Sequence, residues 1–331
     1  RLLWASLVAG VAALNRLDTI LCYLPLLVYE WSLYKSDRLK ASLIVLGGFL
    51  PLLCWEFFSL VYYGFLFPNT FYAKLNTTVS NSVFVLHGLF YVINSLRNDP
   101  VTLVIFCSAG LVTFIKGDLP KKLALLGGVL YFLYGIWIGG DFMLGRYYSI
   151  LFLLSLVLLL KSDIHQYLNN LPSFGVIIIL TFLLGNASSA HPLTIRADSQ
   201  VAITENGIIN EKLFFYSRSG WLSQAGKFQP PDFGGPEGLL ARQAGISPLD
   251  NVSLGAFGYY AGPHIYIIAP VALTDVFLAR IPYSHFDRVG HYLRDLPDGY
   301  KQTLENNFEN KISDPYLKDY YEKLSVVARG D

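Results

Sequence analysis

What constrains this chain most is the point where its apolar excess stops. Residues 1–187 are written as successive apolar runs with short polar breaks, whereas from about Ala190 charges are scattered and Gly-Pro turns appear. A helix needs roughly 20 apolar residues to cross a hydrocarbon core of about 30 Å. Runs of this kind therefore predict membrane helices rather than a soluble core. The expected fold is a polytopic α-helical membrane domain over residues 1–188, followed by a small soluble extracytoplasmic α/β domain over residues 189–331. Charged residues make up 15% of the 331, against roughly 25% in soluble domains. The formal net charge of +1 supplies no basic field, which argues against nucleic acid as a partner.

Residues 2–14 and 19–33 are two short apolar runs separated by Asn15-Arg16-Leu17-Asp18, each near the lower limit for crossing. Residues 41–67 read as a full span kinked at Pro51, ending in Phe67-Pro68-Asn69-Thr70 and a polar loop to about Ser82. Residues 83–96 are short and suit a helix lying at the interface. Residues 101–115, 123–138, 147–160 and 173–185 are expected to cross. Loops 34–40, 116–122 and 161–171 hold Lys35, Arg38, Lys40, Lys116, Lys121, Lys122 and Lys161, whereas the opposite loops hold only Lys74, Arg97 and Arg146. The positive-inside rule makes the first set cytoplasmic and the C-terminal domain external. The chain starts at Arg1 directly in an apolar run with no signal-peptide pattern. It reads as an N-terminally truncated fragment. Cys22, Cys54 and Cys107 all fall inside apolar runs without pair spacing, and read as small core residues.

Polar groups near hydrocarbon are costly and mark functional sites by default. Glu56, about 15 residues into its span, is either a carboxylate facing a wet cavity or one partner of a structural ion pair. Arg16 either clamps a phosphate with its planar fork or pairs with Asp18 in a turn that Asp18 also caps. Lys74 follows Asn69-Thr70-Phe71-Tyr72 and either neutralises a lipid phosphate or snorkels among interfacial aromatics. In Gly139-Gly140-Asp141-Phe142-Met143-Leu144-Gly145-Arg146-Tyr147 the glycines let backbone approach a ligand. Asp141 and Arg146 there suit a sugar hydroxyl and a phosphate. The bland alternative is a Gly-rich turn with an Asp helix cap and an Arg reaching lipid head-groups.

The C-terminal half offers less. Leu254–Ala261 and His264–Ile268 predict two strands joined at Gly262-Pro263, Asp275–Arg280 a short helix, and Tyr300–Asn310 and Pro315–Val327 longer ones. Asp232 to Glu237 is a turn-rich loop. His264, His285 and His291 lack metal-ligand spacing. Three Asn-X-Ser/Thr sequons, at Asn76, Asn186 and Asn251, are common by chance. No Walker loop, GxSxG or HExxH is present.

Taken together, Asn15-Arg16-Leu17-Asp18, Tyr63-Gly64, Pro68-Asn69-Thr70, Ala73-Lys74, Gly139-Gly140-Asp141-Phe142-Met143 and Gly145-Arg146 resemble the mycobacterial terminal β-(1→2)-arabinofuranosyltransferase group and its bacterial relatives. The C-terminal Gly258–Pro263, Ala272–Asp275, Leu278–Arg280 and Leu296–Tyr300 segments share in the resemblance, which covers nearly the whole chain. That group belongs to the GT-C membrane glycosyltransferases. The family has Pro where this chain has Leu17. The resemblance implies an inverting enzyme of the bacterial inner membrane. It would move a pentose, in that group arabinofuranose, from a polyprenyl-phosphate donor to a glycan acceptor outside the membrane. It also implies that the main catalytic base lies upstream of Arg1, leaving the isolated fragment inactive, and that Asp141 supports catalysis. Lys74, Arg146 and Arg16 would bind the donor phosphate, and Asn69, Tyr72, Asp18 and Glu56 would line the donor groove. No cofactor is implied, and a divalent metal stays open. The aromatics Trp221, Tyr259 and Tyr260 suggest that the soluble domain binds the acceptor. A lipid-linked-glycan flippase and a non-catalytic envelope assembly protein are the competing readings.

Overall fold

The computed structural model describes residues 1–75, 79–162, 204, 206–211, 215, 234–250 and 254–329. These are mostly helical, with two small two-stranded sheets. They divide into two compact units. The first gathers residues 1–57, 80–162 and 208–210, and the second residues 58–75, 79 and the remaining described residues from 204 on. The expected domain boundary at 188/189, the apolar run 173–185, Asp232, Trp221 and the three sequon asparagines lie outside the described residues.

The helices of the N-terminal half are α1 (Leu2–Asn15), α2 (Ile20–Ser32), α3 (Arg38–Gly48), α4 (Leu50–Tyr63), α5 (Asn69–Leu75), α6 (Asn81–Asn98), α7 (Pro100–Lys116), α8 (Leu119–Trp137) and α9 (Ser149–Leu160). Helix α4 runs from the first unit into the second, and α5 belongs to the second. Local chemistry sets the boundaries. Asp37, Asp99 and Asp118 each cap a helix by accepting the backbone N–H three residues on. Pro100 and Pro120 stand in first turns, where a missing N–H costs nothing.

Among the described residues, α8 alone is a single helix long and apolar enough to cross a membrane. The number rises to three if the bent pairs α3–α4 (61°) and α6–α7 (103°) each count as one span. The bend expected at Pro51 falls instead at the Gly48–Leu50 break, with Pro51 inside the first turn of α4. The polar loop expected after Pro68 folds as α5, which Pro68 and Asn69 open. Of the three cysteines only Cys22 is buried; Cys54 and Cys107 lie exposed on helix faces, so core packing describes one of them.

Small residues let the first unit's helices touch backbone to backbone. A Cβ at Gly88 of α6 would strike the Ile136 carbonyl of α8, one at Gly127 of α8 the Cys22 carbonyl of α2, and one at Gly48 of α3 the backbone of α1 at Ser6. Where helices cannot rely on water to drive them together, such close approach is how they associate. The core between them holds Cys22, Tyr91, Leu103, Phe106, Tyr131, Tyr147, Tyr148, Leu151 and Ile208.

The second unit continues with α10 (Gly235–Ala244), β1 (Leu249–Asp250), α11 (Gly255–Ala261), β2 (Ile267–Ile268), β3 (His285–Arg288), β4 (His291–Leu293), α12 (Tyr300–Glu305) and α13 (Pro315–Arg329). The strand expected at 254–261 is helix α11, because Phe257 and Ala261 recur at helical spacing and pack on Ala241 of α10. The strand expected at 264–268 shrinks to β2, which pairs in parallel with β1 and not with 254–261. The helix expected at 300–310 ends at Glu305, since Asn307 and Phe308 take left-handed backbone (φ 53 and 66°) that no helix continues through. The helix expected at 275–280 shrinks to a 3-10 turn, Leu278–Arg280, which Asp275 opens by accepting the Leu278 N–H at 2.8 Å. Helix α13 starts as expected, Asp314 accepting the N–H groups of Tyr316 and Leu317. The core gathers Ala73, Ile268, Phe277, Leu278, Ile281, Tyr300, Tyr321 and Leu324.

Candidate functional site

Leaving α8, the chain turns back through Gly139 and Gly140 (φ 91 and 69°), a backbone that glycine adopts without strain. A Cβ at Gly140 would also sit 2.6 Å from the Tyr91 ring. Three devices fix the loop that follows. Tyr91 donates its hydroxyl to the Met143 carbonyl at 2.8 Å and accepts the Tyr147 N–H at 3.2 Å, bridging both sides. His87 lies 2.6 Å from the Gly139 carbonyl through Nδ1; a carbonyl only accepts, so Nδ1 carries the proton. Ile209 adds a one-residue parallel bridge, donating to the Phe142 carbonyl at 2.7 Å and accepting from Leu144 N at 3.0 Å.

This frame carries two guanidinium–carboxylate pairs. Arg146 binds Asp141 Oδ2 through Nε at 2.8 Å and Nη2 at 2.6 Å, while Asp141 Oδ1 accepts the Met143 N–H at 3.4 Å. The Asp141 side chain is 9% exposed and that of Arg146 48%. Arg16 forks onto Asp18, Nε to Oδ1 at 3.1 Å and Nη2 to Oδ2 at 2.6 Å. Its guanidinium lies 5.0 Å from the centre of the Tyr147 ring, which stacks on Tyr131 at 4.7 Å. Tyr147 directly follows Arg146, so the ring that carries the Arg16 guanidinium belongs to the same turn as Arg146. A Cβ at Gly135 would enter the Tyr147 ring, so that glycine is what admits the stack.

Each guanidinium engages its carboxylate along the Nε–Nη2 edge, which leaves Nη1 on the opposite edge. The expected Arg16–Asp18 pair is thus present. The expected Asp18 cap is not, because α2 has no side-chain cap and Thr19 bonds back to the Arg16 carbonyl at 2.7 Å. Glu56 stands on α4 in the first unit, with Oε2 buried and no hydrogen bond to it, and no ion pair to an arginine is seen among the described residues.

Asn69, Tyr72 and Lys74 lie in the second unit, on α5. The Asn69 amide donates to the carbonyls of Ala272 at 3.1 Å and Asp275 at 3.0 Å, and its Oδ1 accepts from Arg280 Nη1 at 2.9 Å. The Arg280 guanidinium sits between the rings of Phe65 (3.9 Å) and Tyr72 (4.1 Å). Its burial holds its pKa below the ordinary value. Both Asn69 and Tyr72 therefore fasten α5 to the 270s segment. Lys74 runs along Gly290, its Cε 3.4 Å from where a Cβ would stand. Beneath them Asp275 is buried and accepts from the Tyr300 hydroxyl at 2.8 Å, and burial raises its carboxyl pKa. The buried Arg294 donates to the Ala73 and Tyr292 carbonyls, each at 2.7 Å. Tyr259 is 79% exposed beside Tyr260.

Sequence reasoning missed His87, Tyr91, Tyr131 and Tyr147, which hold the loop. One signal was there: His87, Tyr91 and Asn94 stand at i, i+4 and i+7 of an apolar helix, a polar stripe on one face. No group of three or more His, Cys, Asp or Glu among the described residues is placed to hold a metal ion. No family model, curated protein or solved structure matches this chain.

Proposed function

We propose that this protein is a polytopic membrane glycosyltransferase of the GT-C kind. It transfers a pentose from a polyprenyl-phosphate donor to a glycan acceptor outside the bacterial inner membrane, where its C-terminal domain stands. The observation that carries the reading is the loop at 139–148. There a nearly buried carboxylate pairs with a half-exposed guanidinium, and the Tyr147 ring that follows lies under the guanidinium of a second such pair. Glycosyl transfer from a lipid phosphate needs cations for the departing phosphate and a carboxylate near the acceptor hydroxyl. In this reading the Nη1 edges of Arg146 and Arg16 receive phosphate oxygens. Asp141 holds Arg146 in register and presents Oδ1 towards the sugar. Asp18 orients Arg16 in the same way. Resemblance in the quoted motifs supplies the donor class.

The test is sugar transfer in membranes that carry the full-length protein, with a radiolabelled polyprenyl-phosphate pentose. Asp141→Asn and Arg146→Gln are expected to lower transfer about a hundredfold, the scale of losing one charge-stabilising contact, at unchanged protein level. Wild-type rates in both variants would remove the loop from the reaction.

A further inference from the structure

Between Glu56 and Lys74 the chain carries no charged residue. In the second unit that stretch forms the end of α4, a tight turn and α5. It exposes Phe58, Tyr62, Tyr63, Leu66 and Phe71, with Phe58 and Tyr62 stacked at 5.2 Å. A water-facing surface rarely presents so many neighbouring apolar side chains. Far along the sequence, the last turns of α13 add Val326 (58% exposed) and Val327 (51%). Gly64 joins the two. Its backbone is left-handed (φ 78°), and a Cβ there would lie 2.5 Å from the Val327 carbonyl and 2.6 Å from Val327 Cγ1. The end of α13 is therefore seated on the end of α4 through Val327, which brings the exposed Val326 and Val327 to the same end of the unit as the exposed aromatics of α4; we treat them as one patch. Earlier in α13, Tyr321 and Leu324 face the core.

We infer that this patch rests on the lipid bilayer, so that the C-terminal helix is a second, interfacial membrane contact of the extracytoplasmic unit. The inference rests on the membrane reading above. Lipid is the occupant the chemistry selects. Tyr62 and Tyr63 close the α3–α4 helix pair, which is apolar enough to span, and tyrosines at such an end sit at head-group depth. The α4–α5 part of the patch is continuous with that helix, mixes tyrosine with aliphatic residues, and meets its first charge at Lys74, whose long stem suits the same boundary, as does that of Lys323 beside Val326 on α13. A device of this kind would hold α5 and Lys74 at the height of a lipid phosphate.

The experiment is photo-crosslinking of the full-length protein in bilayers of bacterial phospholipid, with p-benzoylphenylalanine placed singly at Val326, at Leu126 or at Tyr259. Leu126 is exposed in the middle of α8, and Tyr259 is exposed on α11 away from the patch. All three side chains point outward, so the variants retain their cores. Lipid adducts at Leu126 and Val326 but not at Tyr259 are expected. An adduct at Leu126 with none at Val326 would overturn the inference and leave the membrane reading standing. Equal adducts at Val326 and Tyr259 would overturn it as well, because contact would not be particular to the patch. Absence of an adduct at Leu126 would refute the membrane reading, and the inference with it.

Discussion

The Tyr91 hydroxyl serves both sides of the 139–148 loop, donating to Met143 and accepting from Tyr147. Tyr91→Phe keeps the ring but leaves a carbonyl and an N–H without that partner in a buried setting. The expected loss is about 1–3 kcal/mol, read as a lower melting temperature in detergent. An unchanged melting temperature would mean that the loop is held by other means. Asp275 supplies a pH test. Its folded carboxyl titrates above the ordinary value because it is buried. The stability this group contributes is therefore present below its unfolded pKa of about 3.9 and lost as pH rises through the raised folded value. The melting temperature of the wild type, relative to Asp275→Asn, should fall as pH climbs through that window. Parallel profiles would contradict it. At this scale the sequence exposed the charged residues, since an Asp or Arg among apolar runs is conspicuous. It concealed Tyr91 and Tyr131, because a tyrosine in an apolar helix looks the same whether its hydroxyl bonds a loop or faces lipid. It concealed too that Asn69 and Tyr72 are occupied by Arg280, a partner more than 200 positions away.

Helix starts carry local signals, Asp99-Pro100 for α7 and Asp118 with Pro120 for α8, but the apolar run alone places the second start at 123, past the capped and charged first turn that begins at Leu119. Helix contacts carry none, since they depend on which glycine meets which carbonyl. Gly88→Ala is the sharpest probe, for its Cβ would strike backbone of α8 that cannot rotate away. Overpacking of this kind costs about 1–3 kcal/mol, and the variant should melt earlier than Gly47→Ala, where a Cβ meets open space. Equal melting of the two would show that α6 and α8 are not in close contact. The error at 254–261 has a similar origin. Gly255-Ala256-Phe257-Gly258-Tyr259-Tyr260-Ala261 carries three aromatics, which local propensity reads as strand. Packing of Phe257 and Ala261 on α10 decides for helix.

Over the whole molecule, the change in composition near residue 188 announced two kinds of chain but not how they interleave. The segment 58–75 packs with the C-terminal unit and residues 208–210 with the N-terminal one. Such exchanges rest on long-range contacts, for instance Arg294 with the Ala73 carbonyl and Ile209 with Phe142, that no local pattern encodes. The functional proposal is likewise one of assembly. Arg16–Asp18 and Asp141–Arg146 lie far apart in sequence, yet the Arg16 guanidinium stands over the ring of Tyr147, the residue next to Arg146, and the lipid phosphate is proposed to be held there.

The central claim is that a bond is made, and it is tested most directly with the full-length protein reconstituted in purified lipid with a radiolabelled polyprenyl-phosphate pentose and a soluble glycan acceptor. The account predicts label in the glycan, joined by a new glycosidic linkage of inverted configuration, and loss of that label with Asp141→Asn. Label that crosses the bilayer still attached to its lipid, with none in the glycan for any pentose or hexose donor, would contradict it.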